Sequence, residues 1–217
     1  MKPRLFHWFL PLLLWGCSDS PSPATNTPDT KPEPSFEAPT VQLTQAQKDA
    51  CLLCHSNKEM QRGPVLDGME EWYVLEQLKK FKSGLRGADP SNKAETLMAS
   101  AMKDIEGEGT LLAYAQFIAN LPPQPSLTTV KADPERGKTL YGQCASCHGP
   151  DAKGKPEMKA PGLLIQEDWF LLDQLRKYKL GLRGNQPGDA FATIMAASVK
   201  TWSDQDLKDV VAYLDRL

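Results

Sequence analysis

One five-residue pattern occurs twice in the chain and limits what the chain can fold into. Cys-Leu-Leu-Cys-His stands at residues 51–55, and Cys-Ala-Ser-Cys-His stands at residues 144–148. This pattern is the attachment signature of a c-type haem, because two thiols three positions apart on a helical turn can each bond to one vinyl group of the porphyrin. The adjacent His then presents its imidazole to the iron as the proximal ligand. The predicted haem attachment residues are Cys51, Cys54, Cys144 and Cys147, and the predicted proximal ligands are His55 and His148.

Other uses of paired cysteines fit this sequence less well. A single Cys-x-x-Cys also occurs in thioredoxin-like redox sites and in zinc sites. A zinc site would need more ligands, but four of the five cysteines belong to the two motifs, and the fifth, Cys17, ends an N-terminal apolar segment. A redox dithiol does not need the His that follows each pair. The pattern therefore favours two haem c groups over zinc or a catalytic dithiol.

The first 40 residues predict export and membrane attachment. Residues 1–16 carry two basic side chains and then a short apolar run, which is typical of a signal peptide and too short to span a bilayer as a mature helix. The run ends in Leu-Trp-Gly-Cys at residues 14–17, which resembles a bacterial lipobox, so Cys17 is the predicted lipidation site. A plain secretory signal or an uncleaved anchor is the alternative. We expect a periplasmic protein anchored to a bacterial membrane, and Ser18 favours the outer membrane.

The remaining sequence divides into a tether, two domains and a linker. Residues 17–40 are rich in Pro, Ser and Thr and are predicted to form a disordered tether after the anchor cysteine. Residues 64–87 align with residues 161–184 without a gap, and about half of the aligned positions are identical. This internal duplication predicts two domains, at residues 41–121 and 133–217. A Pro-rich linker at residues 122–132 joins them.

Helical signals dominate both domains, and strand signals are absent, so the predicted fold class is all-α. The signals are capping residues, a Pro at a first helical position and a Gly stop. They are found at Thr44 with Gln47, Asp133 with Pro134, Ser203 with Asp206, and Gly84. Because a domain of roughly 80 residues has a thin core by itself, we expect each domain to be built around its covalently bound haem.

The small number of histidines restricts the choice of the distal, sixth ligand of each iron. The chain has three histidines, and only His55 and His148 lie outside the N-terminal segment. The sixth ligand of each iron is therefore a Met, a Lys, an exogenous ligand or nothing. Met98 and Met195 are the predicted ligands, since they occupy corresponding positions of the repeat and a soft thioether suits low-spin iron. Met102 is the alternative for the first haem, and core filling is the alternative role for such a Met.

Residues near the motifs are candidates for supporting roles. Pro64 and Pro161 are predicted to offer a backbone carbonyl to the proximal imidazole, which would fix its tautomer and tune the iron. An ordinary turn Pro is the alternative at both positions. Four further side chains are either donors to haem propionates or packing and surface residues. They are Trp72, Trp169, Arg86 and Arg183.

Several of these stretches give the chain a resemblance to a known family. They are the two haem motifs, His-Gly-Pro-Asp-Ala-Lys-Gly at residues 148–154, the Gln-Leu-x-x-Phe/Tyr-Lys-x-Gly-x-Arg ending in both halves, and Met195 ahead of Ser-Asp-Gln-Asp-Leu. From residue 44 onward the chain resembles the di-haem class I cytochromes c, in particular the cytochrome c4 family. The resemblance implies two tandem class I cytochrome c domains facing each other across a pseudo-twofold axis, with propionates near the interface and His/Met ligation of both irons.

The first half departs further from the family than the second. Gly137 and Tyr141 resemble the helix-crossing residues of class I cytochromes, but Thr44 and Lys48 stand at their counterpart positions. We therefore expect the packing around the first haem to differ from that around the second.

The resemblance implies an electron carrier and not an enzyme. It implies a donor such as a cytochrome bc complex or a dehydrogenase, and an acceptor such as a haem-copper terminal oxidase. The cytochrome subunit of a periplasmic dehydrogenase complex is the alternative, and a di-haem peroxidase is disfavoured because no His is spare. The net side-chain charge is −2, or −4 without residues 1–16, which argues against nucleic-acid binding.

Overall fold

The computed structural model describes residues 41–56, 63–125 and 127–217. The predictions for the signal peptide, for Cys17 and for the tether at residues 17–40 fall outside these residues. The described residues contain no strand, only an isolated antiparallel bridge between Lys155 and Ala160, and a single 3-10 turn at Pro156–Met158. They form α1 (Gln45–His55), α2 (Glu71–Ser83), α3 (Lys93–Lys103), α4 (Glu108–Ala119), α5 (Pro134–Tyr141), α6 (Ala145–His148), α7 (Asp168–Leu180), α8 (Ala190–Val199) and α9 (Asp204–Leu214). None of these helices is both long enough and apolar enough to cross a bilayer.

The predicted helix starts are confirmed. Thr44 and Gln47 form a capping box, in which each side chain binds the backbone N–H of the other residue. Asp133 accepts hydrogen bonds from two backbone N–H groups at the start of α5, with Pro134 at a first helical position. A second capping box joins Ser203 and Asp206 at the start of α9. These starts were predictable because each depends on residues only a few positions apart.

The helix ends agree with the sequence less uniformly. Gly84 ends α2 in the left-handed conformation with φ 78°, as predicted, and Gly181 ends α7 in the same way with φ 71°. The helices that close each half run from Glu108 to Ala119 and from Asp204 to Leu214. Their first turns are polar and lie ahead of the buried face, which begins at Leu111 and at Leu207.

Each half of the chain has its own hydrophobic cluster. The first is formed by side chains of α2, α3 and α4, among them Leu78, Met102 and Ile118. The second is formed by α5, α7, α8, α9 and the loops between them, and Leu207 and Val211 are fully buried there. Both clusters belong to one compact unit.

One close helix crossing occurs in the second half, and the described residues of the first half show no counterpart. A Cβ at Gly137 would lie 1.9 Å from the carbonyl oxygen of Asp209, so α5 and α9 touch through their backbones there. Tyr141, one helical turn later, is buried and donates a hydrogen bond to the carbonyl of Gly149 at 2.7 Å. In the first half Thr44 caps α1, and no residue of α1 is buried. The departure in the sequence therefore corresponds to a looser position of the helix that carries the first motif.

The predicted linker is anchored on both halves. The Gln124 amide donates to the carboxylate of Asp67 at 2.5 Å. The backbone N–H groups of Thr129 and Val130 both donate to the carboxylate of Asp168 at 2.6 Å. Asp168 is the first residue of α7 and is 2% exposed. These contacts restrict how far the two halves can move apart.

Candidate functional site: two haem-attachment sites

Both cysteine pairs lie beside the end of a helix. Cys51 and Cys54 occupy the last turns of α1, which ends at His55, and Cys144 immediately precedes α6, which ends at His148. None of these four cysteines is in a disulfide, and all four are half-buried. Residues three apart on a helix share a face, so the two thiols of a pair can reach one flat ring. Burial raises the pKa of the Cys51 thiol and raises that of Cys144 to about 11.

The two proximal histidines make the same contact in each half. Nδ1–H of His55 donates to the carbonyl oxygen of Pro64 at 2.8 Å, and Nδ1–H of His148 donates to that of Pro161 at 2.9 Å. A carbonyl can only accept, so the proton lies on Nδ1 and the lone pair lies on Nε2, the nitrogen left for a metal. The expected Pro carbonyl contacts are thus present, and their effect on the iron stays a prediction.

The environment of both imidazoles favours the neutral form. Burial lowers the pKa of His55 and of His148, and in each case the hydrogen bond to the Pro carbonyl opposes that effect without cancelling it. The carboxylate of Glu70 also acts to raise the pKa of His148. A neutral imidazole is the form that binds iron, so the ionisation state suits the proposed ligands.

The methionines separate into two environments. Met98 and Met195 are each the sixth residue of their helix, α3 or α8, and both are half-buried at the border of a hydrophobic cluster. Met102 is 5% exposed and lies inside the first cluster, and Val199, at the corresponding position, is 2% exposed inside the second. Packing therefore accounts for Met102, which leaves Met98 as the better candidate ligand.

Two buried indole groups test whether these residues fit a haem. Nε1 of Trp72 and Nε1 of Trp169 occupy equivalent positions and are buried without a hydrogen-bond partner among the described residues. Leaving a buried donor unpaired costs about 1–3 kcal/mol. Two such donors at equivalent positions fit a ligand with acidic groups, and haem propionates are of this kind. The paired thiols, neutral imidazoles and unpaired indoles thus agree with a haem in each half.

The repeated Gln and Arg positions lie between the two halves. Gln77 accepts hydrogen bonds from Arg86 at 2.8 Å and from Arg183 at 3.0 Å. Gln174 accepts from Arg86 at 2.9 Å and from Arg183 at 2.8 Å. Both guanidinium groups belong to residues that are 8% exposed, so neither Arg is a surface residue. The reciprocal pattern agrees with two domains related by a pseudo-twofold axis.

The sequence does not predict one further pair of contacts beside the two sites. The backbone N–H of Val65 donates to the carboxylate of Glu167 at 2.8 Å, and that of Gly162 donates to the carboxylate of Glu70 at 2.9 Å. Each carboxylate thus crosses from one half to the other. There it binds the peptide N–H next to the Pro carbonyl that accepts from the proximal His. The available signal was the identity of these two Glu positions in the repeat, one residue ahead of α2 and α7.

Comparison with known proteins agrees with this geometry. The family model described as Cytochrome c matches residues 134–217. Cytochrome c4 from Azotobacter vinelandii is 26% identical over 189 residues, which cover 80% of this chain and 87% of that protein. A thiosulfate dehydrogenase electron acceptor from Stutzerimonas stutzeri strain A1501 is 27% identical and covers 76% of this chain and 77% of its own length. The structure of Acidithiobacillus ferrooxidans cytochrome c4 is similar with a TM-score of 0.64 at 25% identity, and covers 78% of this chain and 99% of that one.

These relatives and the two sites agree on cofactor, fold and role. Each Cys-x-x-Cys-His motif accounts for one haem c, and the helical halves correspond to two cytochrome c domains. The protein is therefore a di-haem, cytochrome c4-like electron-transfer protein built from two class I cytochrome c domains.

Proposed function

We propose that this protein carries electrons between respiratory-chain partners in the bacterial periplasm through two His/Met-ligated haems. The observation that carries the proposal is the matched arrangement of the two sites. In each, Nδ1 of the proximal His is held by a Pro carbonyl at 2.8 or 2.9 Å. A half-buried Met stands at the same position of α3 or α8.

A bound haem supplies a one-electron change at its iron. The residues of this chain do the rest: the thiols hold the ring, the Pro carbonyl fixes the imidazole tautomer, and the thioether of Met98 or Met195 raises the reduction potential. With a His and a Met of this chain bound to each iron, neither haem would offer a position for a substrate. The proposal is therefore an electron carrier that exchanges electrons through the haem edges and catalyses no reaction of its own.

The sequence supports a location and a set of partners. The apolar segment and lipobox-like residues at 14–17 support export and a lipid anchor at Cys17, with the outer membrane favoured by Ser18. A cytochrome bc complex or a dehydrogenase would supply electrons, and a haem-copper terminal oxidase would accept them. An anchored carrier on a tether is suited to move between such partners.

A second role is favoured by one of the relatives. The similarity to a thiosulfate dehydrogenase electron acceptor supports a cytochrome that serves one dehydrogenase, either as its acceptor or as a bound subunit. Purification from native membranes separates the two roles. A catalytic subunit that stays bound through purification would favour the dedicated role, whereas a free monomer reduced by several donors would favour the general carrier.

The near-infrared spectrum of the fully oxidised protein tests the ligation. A Met sulfur bound to ferric haem iron gives a weak charge-transfer band in this region. We expect an intensity, normalised to haem content, that corresponds to two Met-ligated irons. The Met195→Ala variant should give half that intensity. Half the intensity in the parent protein would overturn His/Met ligation of one haem and direct attention to the divergent first domain.

A further inference from the structure

Two glutamates occupy helix N-cap positions without capping their helices. Glu70 precedes α2 and Glu167 precedes α7, and neither side chain accepts a hydrogen bond from its own first turn. N-cap positions favour shorter Ser, Thr, Asp and Asn side chains that fold back onto the helix. Both Glu carboxylates instead reach the opposite domain, where each accepts one backbone N–H. The same departure at both repeat positions indicates a role outside the helix ends.

The peptide that each carboxylate contacts also contacts a proximal His. The N–H of Val65 and the carbonyl of Pro64 belong to one peptide unit, which donates to Glu167 and accepts from His55. The peptide between Pro161 and Gly162 does the same between Glu70 and His148. Each half therefore contains a chain of two hydrogen bonds that begins at a carboxylate of the other domain and ends at an imidazole.

We propose that Glu70 and Glu167 are positioning residues through which each domain lowers the reduction potential of the haem in the other domain. The proposal rests on the proposed function, because it needs His55 and His148 to be iron ligands. Hydrogen bonds in series polarise one another. A carboxylate on the peptide N–H makes the peptide oxygen a stronger acceptor, which gives the imidazole more anionic character and stabilises ferric iron.

The two chains of hydrogen bonds differ in burial, so their effects on the reduction potentials differ in size. Glu167 is 3% exposed and Val65 is 5% exposed, whereas Glu70 and Gly162 are half-buried. A charge acts more strongly where less water screens it. The two haems therefore receive effects of different size, and the duplicated contact gives them different potentials.

The test replaces each carboxylate by its neutral isostere. Gln keeps an oxygen that can accept the peptide N–H, so Glu167→Gln and Glu70→Gln remove the charge while keeping the contact. The potential of each haem is read by NMR during a redox titration, with hyperfine-shifted signals assigned by sequence to His55 or His148. We expect Glu167→Gln to raise the potential of the His55 haem and leave the other unchanged. Glu70→Gln should raise the potential of the His148 haem, by a shift of different size, and leave the His55 haem unchanged.

A matched control separates this effect from a general loss of negative charge. Glu71 neighbours Glu70 on the chain and is exposed on α2, so Glu71→Gln removes the same charge and should leave both potentials at their parent values. Urea unfolding of every variant detects a merely structural role, which would lower stability without a crosswise change in potential. If Glu167→Gln fails to fold, the half-buried Glu70→Gln still decides the question.

The outcomes distinguish this proposal from the proposed function. If the parent protein lacks two His/Met-ligated haems in the near-infrared spectrum, the proposed function fails. If the parent has them but both potentials stay constant in the Gln variants, the crosswise role is overturned and the electron-carrier role stands. A shift of the haem in the same domain as the altered Glu would also overturn the proposal.

Discussion

The guanidinium of Arg86 in the first domain donates a hydrogen bond to Oε1 of Gln174 in the second, at 2.9 Å. Arg86 also donates to Glu95 at 2.8 Å, and Glu95 is 3% exposed. At the position corresponding to Glu95 the second domain has Ala192. The interface thus combines a reciprocal Arg–Gln pattern with a buried Arg86–Glu95 ion pair that Ala192 cannot repeat with Arg183.

This ion pair predicts a pH-dependent loss of stability. Burial acts to raise the pKa of Glu95, but the nearby cations Arg86, Arg183 and Lys177 together outweigh it and hold the pKa below the usual 4.5. A carboxyl with a lowered pKa contributes its full stabilisation above that usual value and loses it as the pH falls through the lowered value. Glu95→Gln should lower the free energy of unfolding by about 3 kcal/mol at neutral pH, because it leaves a buried cation without its partner.

Urea unfolding of parent and variant at pH 7 and at acidic pH checks this expectation. The difference between their free energies of unfolding should shrink in acid, where protonation makes the parent carboxyl neutral like the Gln amide. Glu106→Gln, at an exposed residue, is the control and should leave the free energy of unfolding almost unchanged at both pH values. An equal cost of Glu95→Gln at both pH values would contradict the assignment of the effect to charge.

Replacing the predicted distal ligands one at a time should leave one iron in each variant without its sixth protein ligand. In Met195→Ala the second haem should lose its high potential and bind carbon monoxide when reduced, and Met98→Ala should do the same at the first haem. Met102→Ala should leave both ligations unchanged and lower stability by about 2–5 kcal/mol, because Met102 fills the first cluster. Carbon monoxide binding by Met102→Ala but not by Met98→Ala would reverse the assignment.

The crossing of α5 and α9 predicts a strict need for Gly at position 137. A Cβ there would lie 1.9 Å from the Asp209 carbonyl oxygen, so Gly137→Ala forces two backbones apart. We expect a loss of about 3 kcal/mol, measured by thermal unfolding. Gly142→Ala serves as the control, since Gly142 has a helical φ of −50° and its nearest neighbour would be 3.2 Å from a Cβ. Equal effects of the two variants would contradict the close crossing.

Membrane attachment should depend on Cys17. A lipid on this thiol contributes about 0.8 kcal/mol for each CH₂ buried in the bilayer, which a Ser cannot replace. Cys17→Ser should therefore move the protein from the membrane fraction to the soluble fraction, with its haem spectrum unchanged. If the variant stays on the membrane, an uncleaved signal segment is the anchor.

The sequence predicted the local features of the sites. The haem motifs, the capping boxes at Thr44 and Ser203 and the Gly84 stop each depend on a few neighbouring residues. Such features follow from spacing alone. The contact of His55 with Pro64 spans nine positions, and the sequence leaves an ordinary turn Pro as the alternative there.

The contacts between the domains could not be predicted in the same way. From the sequence, Arg86 and Arg183 are either propionate donors or packing and surface residues. Their reciprocal pairing with Gln174 and Gln77 depends on how the two halves dock. Glu167 lies 102 positions along the chain from Val65, whose backbone N–H donates to its carboxylate. Identical polar residues in both copies of a repeat indicate a shared role, but spacing does not reveal which partner each of them meets.

The reciprocal contacts have a consequence for the origin of the two-domain chain. Arg86 with Gln174 repeats as Arg183 with Gln77, so the contact surface is self-complementary. Two identical single-haem chains with these residues would dock through the same contacts as a symmetric homodimer. Fusion into one polypeptide makes that association independent of protein concentration and frees the two sides to diverge, as Glu95 and Ala192 have done. A homodimer must hold two equal haems, whereas the fused chain can hold an unequal pair and so give electrons a direction.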